Sequence, residues 1–158
     1  MVNKNKNLPL RKGVGIILLN NENKVFVAKR IDNPKNFWQM PQGGVDSGEN
    51  LLSAAYRELK EETGIEKVEL VKEIEGKTIY ELPDNLLGII WKGKYRGQEQ
   101  KWFLMKFKGK DSEINLKTHH PEFLEWKWIE LDKITDVVVK FKLDVYKNIK
   151  EKVKKILN

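Results

Sequence analysis

The stretch Gly43–Ile65, GGVDSGENLLSAAYRELKEETGI, carries the decisive pattern of this 158-residue chain. From Asn50 to Thr63 the apolar period is helical. Leu51, Ala55 and Leu59 are spaced by four, with Leu52 and Tyr56 alongside, and predict one buried face. Gly64 is the expected helix stop. On this helix Glu58, Glu61 and Glu62 stand at i, i+3 and i+4, so three carboxylates converge within about one turn. Crowded carboxylates repel, and burying them unpaired is costly. Bound cations would offset them, and so would Arg57 and Lys60. Hard divalent cations take oxygen ligands, and Mg²⁺ combines a few carboxylates with substrate phosphates. A glycine-containing loop at Gly43–Gly44 lets backbone approach such a group closely. Together these features point to metal-assisted phosphoryl chemistry. The glutamates alone would more readily fit a solvated acidic face with ordinary Glu–Lys pairs, so the wider spacing has to decide.

Outward from this segment the periods are mostly those of strands. Gly13 to Leu19 and Lys24 to Lys29 are short apolar runs around Asn20–Asn23, and together they predict a β-hairpin. Asp32 to Asn36, with Pro34, reads as a loop. Phe37 to Met40 reads as a strand that stops at Pro41. Val68 to Ile74, Thr78 to Leu82, Lys101 to Phe107 and Glu125 to Ile129 are further strands, and Asp84 to Gln98 is mainly loop. Val145, Ile149, Val153 and Ile156 share one stripe of a C-terminal amphipathic helix at about 142–157, whose other face is rich in Lys. No repeat or linker divides the chain, which reads as one domain over residues 1–158. The fold class is α+β, with helices on both sides of a mixed sheet.

Composition excludes several alternatives. There is no Cys, hence no disulfide framework and no thiolate metal site. No apolar run approaches the ~20 residues of a membrane helix. No signal-type apolar stretch follows the polar N-terminus, and a soluble, cytoplasmic, monomeric protein is expected. The 30 Lys plus Arg exceed the 23 Asp plus Glu, for a formal charge of +7. The excess is uneven, with net +4 over residues 1–50, −2 over 51–139 and +5 over 140–158. A basic exterior around an acidic centre suits a polyanionic substrate presented to cation-holding carboxylates.

The full spacing gives the glutamates their meaning. Gly43, Glu49 and the run Arg57-Glu58-Leu59-Lys60-Glu61-Glu62-Thr63-Gly64-Ile65 match the Nudix box at every defined position. The chain therefore resembles the Nudix hydrolases. That resemblance implies an α/β/α sandwich with the box (43–65) as loop–helix–loop, and Mg²⁺- or Mn²⁺-dependent hydrolysis of a nucleoside diphosphate linked to another group. It also implies Glu58 and Glu62 as principal metal ligands, with Glu61 as a further ligand or proton acceptor. The Gly43 carbonyl would face the metal, Arg57 would orient the glutamates, and Glu49 would brace the loop.

Flanking residues narrow the substrate. Trp38-Gln39-Met40-Pro41-Gln42-Gly43-Gly44 resembles the WQFPQGG stretch of the bacterial RNA 5′-pyrophosphohydrolases, with Met in place of Phe. Gly97 to Phe103, Pro121-Glu122-Phe123, Trp126-Lys127-Trp128 and Val138 to Tyr146 continue the likeness. Arg11, Lys29, Arg30, Gln42, Gln100 and Lys101 are candidate triphosphate contacts. The resemblance adds Arg30 and Phe141 as a base sandwich, Val139 and Lys142 beside it, Tyr80 at phosphate, and Glu122 as a metal ligand or general base. His119 and His120 read as loop residues, because a hard cation prefers oxygen. The implied reaction converts the 5′-triphosphate end of RNA to a 5′-monophosphate. Hydrolysis of dinucleoside polyphosphates, such as diadenosine tetra- or pentaphosphate, and a non-catalytic RNA- or nucleotide-binding module are the alternatives. Nothing in the sequence specifies a stimulating protein partner.

Overall fold

A computed structural model describes residues 7–32 and 35–158. Met1 to Lys6, and Asn33 and Pro34 of the expected loop, lie outside the described residues. Strands β1 (Leu10–Leu19) and β2 (Val25–Arg30) follow the two apolar runs. In the turn between them the Asn20 side chain accepts from the backbone of Glu22 and Lys24, at 2.9 and 3.0 Å. The expected hairpin, however, is confined to its first rung, Leu19 opposite Val25. Beyond it the two strands part. β1 runs parallel to β6 (Gly97–Phe107) from Leu10↔Gly97 to Leu19↔Lys106, while β2 pairs antiparallel with β7 (Phe123–Ile129). β1 is buried on both faces along most of its length, which is the environment of a central parallel strand.

The gap between the parting strands is filled by residues 38–44. Gln39 forms an isolated bridge with Ala28, and the Ile16 amide donates to the Pro41 carbonyl at 3.0 Å. Strand β3 (Gln42–Gly44) pairs with β1 at Gly13–Gly15. The strand expected at Phe37–Met40 is therefore displaced to the far side of Pro41. Proline has no N–H for a ladder, and Trp38 and Met40 are committed to the core.

Helix α1 (Leu51–Thr63) has the predicted limits. Asn50 caps it by accepting from the amides of Leu52 and Ser53, and Gly64 closes it at φ 73°. Ala54, Ala55 and Leu59 are fully buried, but Tyr56 is 38% exposed and lies off the expected face. Strands β4 (Val68–Glu73) and β5 (Thr78–Glu81) both pair antiparallel with β6. Residues 84–96 are loop, kinked by left-handed backbone at Trp91 and Lys92, and β6 already begins at Gly97. A short helix, α2 (Ile134–Val137), precedes α3 (Leu143–Leu157).

Among the described residues the sheet has seven strands, with the path β4-β6-β1-β2-β7. Strand alternation divides the core. Val14, Ile16, Phe26 and Phe103 face α1, while Ile17, Val25, Val27 and Trp102 face Val145, Tyr146 and Ile149 of α3. The result is the layered helix–sheet–helix arrangement expected. No described helix is long and apolar enough to cross a membrane.

Candidate active site

Where residues 38–44 fill the gap between β1 and β2, side chains from both helical layers line the candidate cleft. α1 supplies its acidic floor. Arg57 organises that floor as a five-contact hub. Its Nε and Nη2 grip the two Glu49 oxygens at 2.8 and 2.9 Å, and Nη2 also donates to the Gly44 carbonyl at 2.8 Å. Its Nη1 donates to Glu58 at 3.0 Å and to Glu61 at 3.2 Å. These charge-assisted bonds fasten the loop to the helix. The Arg57 hydrogen bonds, with the amide of Asp46, hold Glu49 down to about 2. The planar fork explains Arg at this position, since one ammonium has no comparable geometry.

Glu58 and Glu62 turn inward. Burial is the main cause lifting the Glu58 pKa, opposed by Arg57 and reinforced by Glu61 and Glu122. Glu62 is 2% exposed, and its Oε2 has no hydrogen-bond partner. Its pKa is driven well up by burial first and then by the charges of Glu122 and Glu58, with Arg30 opposing. Glu122 thus reaches both helix glutamates electrostatically from the segment before β7. Among the described residues, no three His, Asp or Glu side chains stand as a ready-made metal cage. The donors nevertheless fit a hard cation. An orphaned buried carboxylate oxygen faces like charges, and a Cβ on Gly43 would collide with the Glu58 carboxylate.

The opposite wall of the cleft belongs to the α3 side of the sheet. Gln42 Nε2 donates to the Tyr80 hydroxyl at 3.0 Å and approaches Gln98 Oε1 at 3.4 Å, to which Gln100 also donates at 2.8 Å. Gln42 Oε1, Gln98 Nε2 and Gln100 Oε1 remain buried without partners. Burial lifts the Tyr80 hydroxyl to about 12, keeping it protonated. Gln98 had not been singled out in the sequence. Its signal was the alternation Gln98, Gln100, Trp102, which puts all three on one face of β6. Gln39 was likewise missed, and its Oε1 accepts from Lys142 Nζ at 3.3 Å.

Lys142, expected beside a base, is only 6% exposed and lies 5.4 Å from the Tyr80 ring centroid and 5.8 Å from that of Phe141. Burial, and next the Arg30 charge, lower its ammonium to about 7. Phe141 is half-buried and packs 5.7 Å from Tyr80. Val139 starts the 3₁₀ turn that carries both, accepting from the Lys142 amide at 3.1 Å. Arg30 is fixed by a bidentate pair with Asp32 at 2.8 and 3.0 Å. Arg11 lies between Gly44, where a Cβ would collide with it, and the Trp91 ring at 5.0 Å.

Two expected contacts are engaged elsewhere. Lys29 pairs with Glu125 at 3.2 Å, bonds Asn36 and lies over Trp38. Lys101 alternates to the face opposite Gln100 and is held by the Gly76 carbonyl and Glu73, at 3.1 and 3.5 Å. His119 and His120 meet edge-to-face at 4.6 Å in an exposed loop, in line with the loop reading.

A split mixed sheet between helical layers, with a glutamate helix facing a Gln- and Arg-lined wall, defines a hydrolase-type site for phosphoanhydrides. The NUDIX domain model matches residues 9–149, and the chain belongs to the Nudix family. It is 74% identical to an RNA pyrophosphohydrolase of Pelagibacter ubique, over 96% of each chain. It is 52% identical to an RNA pyrophosphohydrolase of Roseobacter denitrificans, over 88% of each. Among solved structures, a C. elegans Ap4A hydrolase binary complex is similar, with TM-score 0.65 and 25% identity over 89% of this chain and 95% of that one. The fold also matches an E. coli dihydroneopterin triphosphate pyrophosphohydrolase at TM-score 0.67 and 20% identity, over 89% and 96% of the two chains.

Proposed function

We propose that this Nudix hydrolase removes pyrophosphate from the 5′-triphosphate end of RNA, leaving a 5′-monophosphate and so promoting RNA decay in the cytoplasm. The observation that carries this reading is the 74% identity with an RNA pyrophosphohydrolase over 96% of both chains. The cleft supports it, since it joins buried carboxylates on one wall to Arg and amide donors on the other.

Glu58 and Glu62, with Glu61 or Glu122 and the Gly43 carbonyl, would hold Mg²⁺, or Mn²⁺ in its place. When bound, such a cation neutralises polyphosphate oxygens and makes water a better nucleophile. Arg57 keeps Glu58 and Glu61 aimed through its fixed fork. Glu61 or Glu122 accepts the proton released by the attacking water. Arg11, Gln42, Gln98, Gln100 and Tyr80 face the phosphate chain; of the glutamines, Gln98 Nε2 is a donor still without a partner, and the Tyr80 hydroxyl, which accepts from Gln42, keeps its proton to donate. Arg30 and Phe141 enclose the base of a leading nucleotide, with Val139 and Lys142 at its edge. Stacking on an aromatic and a guanidinium plane is the usual way of holding an unpaired RNA base.

Dinucleoside polyphosphate hydrolysis is the second reading, favoured by the structural likeness to the Ap4A hydrolase. Side-by-side turnover of 5′-triphosphorylated RNA and of diadenosine tetra- and pentaphosphate separates the two. A higher kcat/KM on RNA supports the first reading, and a higher value on the dinucleotides overturns it. Absence of cation-dependent turnover on all of them would instead favour a binding module.

A further inference from the structure

The loop between β5 and β6 has features that the proposed hydrolysis leaves unexplained. Residues 89–96, IIWKGKYR, interleave aromatic and basic side chains, and no acidic residue lies between Asp84 and Glu99. Trp91 and Lys92 hold φ 51° and 57°, a left-handed conformation that L side chains disfavour. The loop is nonetheless closed tightly. A Cβ on Gly93 would come 2.9 Å from the Gly88 carbonyl, and Tyr95 meets Trp91 edge-on at 6.2 Å. Trp91 also reaches the cleft, because the Arg11 guanidinium lies 5.0 Å from its ring centroid and packs on Gly44.

Lys92 and Lys94 are exposed, and among the described residues their side chains have no partner. Next along the chain, Arg96 is instead held by Glu81 and the Leu8 carbonyl. The left-handed backbone at Trp91 and Lys92 thus turns a loop that carries two uncompensated cations and is joined to the site through Trp91 and Arg11. Single strands are bound by basic groups that track the backbone between aromatic side chains, and this loop has that composition.

We propose that residues 89–95 form a second RNA-contacting element, in which Trp91 anchors the loop on Arg11 while Lys92 and Lys94 take phosphodiester groups downstream of the 5′ end. The inference rests on the RNA reading of the site. The test compares wild type with the double variant Lys92→Gln/Lys94→Gln, both as the full chain. Substrates are 5′-triphosphorylated RNAs of about 3 and about 15 nucleotides, bracketing the reach of a single-strand groove, and diadenosine tetraphosphate. KM for the longer RNA should rise about three- to tenfold, beyond any change on the other two substrates. The slope of log(1/KM) against log salt on that RNA should become shallower by about 1.4, for two lost phosphate contacts. An unaltered KM and salt slope on the longer RNA would overturn the inference alone. An equal loss on all substrates would also overturn it, by making the lysines merely structural. A wild-type protein that turns over the dinucleotide but neither RNA would overturn both this inference and the RNA reading.

Discussion

The Glu58 carboxylate occupies the space where a side chain on residue 43 would begin, so Gly43 and Glu58 fit together only because residue 43 has no Cβ. Gly43 lies in β3 and Glu58 on α1, so this contact sets how closely the glutamates approach the cleft. Gly43→Ala should push the carboxylate aside and lower kcat by about 100-fold, the scale of a small misplacement at a reacting centre. Steady-state kinetics checks this, with circular dichroism expected to show the helix retained.

Arg57 satisfies Glu49, Glu58, Glu61 and the Gly44 carbonyl at once, which a lysine cannot do. Arg57→Lys should therefore keep the charge but cost about 10–100-fold in activity or cation affinity, as for other residues that orient ligands. A Mn²⁺ titration of activity would show the affinity component. Because Glu49 is held down to about 2, its grip is fully present above its unfolded value near 4.5 and is lost as pH falls through about 2. Acid unfolding of Arg57→Lys should accordingly begin at higher pH than in wild type.

Glu62 is buried, lacks a partner for Oε2 and is repelled by Glu122 and Glu58. Its folded pKa is raised, so the stability linked to its protonated form is present below the unfolded value and lost as pH rises through the folded one. Without divalent cation, the Tm of wild type relative to Glu62→Gln should rise as pH is lowered toward the ordinary carboxylate range. Mg²⁺ should flatten that dependence. Glu62→Gln should lose activity, yet without cation exceed wild type in Tm at the upper pH. A Glu62→Gln variant with full activity would remove Glu62 from the proposed ligands.

Lys142 shows the opposite sign. Its ammonium is lowered to about 7 by burial, and the unfolded chain binds its proton up to about 10.5. The resulting penalty is complete below about pH 7 and is relieved as pH rises from there toward about 10.5. Lys142→Met should thus raise stability at neutral pH by about 1–3 kcal/mol, with a flatter alkaline limb in thermal melts. On the proposed site it should also lose affinity for the leading nucleotide, visible as a higher KM on RNA.

Much of the fold and the acidic half of the site could be read along the chain, because both rest on short-range spacing. Asn50, the Leu51–Ala55–Leu59 period and Gly64 define α1 locally, and i, i+3, i+4 geometry puts Glu58, Glu61 and Glu62 together on any helix. The Phe37–Met40 strand failed because local β propensity says nothing about where a ladder finds a partner. The apparent hairpin failed for the same reason, since β1 gains a ten-rung ladder with β6, a strand nearly 90 residues away.

The sequence by itself determined the helix that carries the carboxylates, the Nudix family and the chemistry those residues support. Tertiary structure alone decided the other wall. It turned Lys29 and Lys101 away toward Glu125 and Glu73, brought Gln98 in beside Gln42, and buried Lys142 against Gln39. The physical reason is that a carboxylate triplet on one helix turn needs only the backbone repeat. A wall built from β1, β3, β5, β6 and the start of α3 exists only once strands distant in sequence have found their registers.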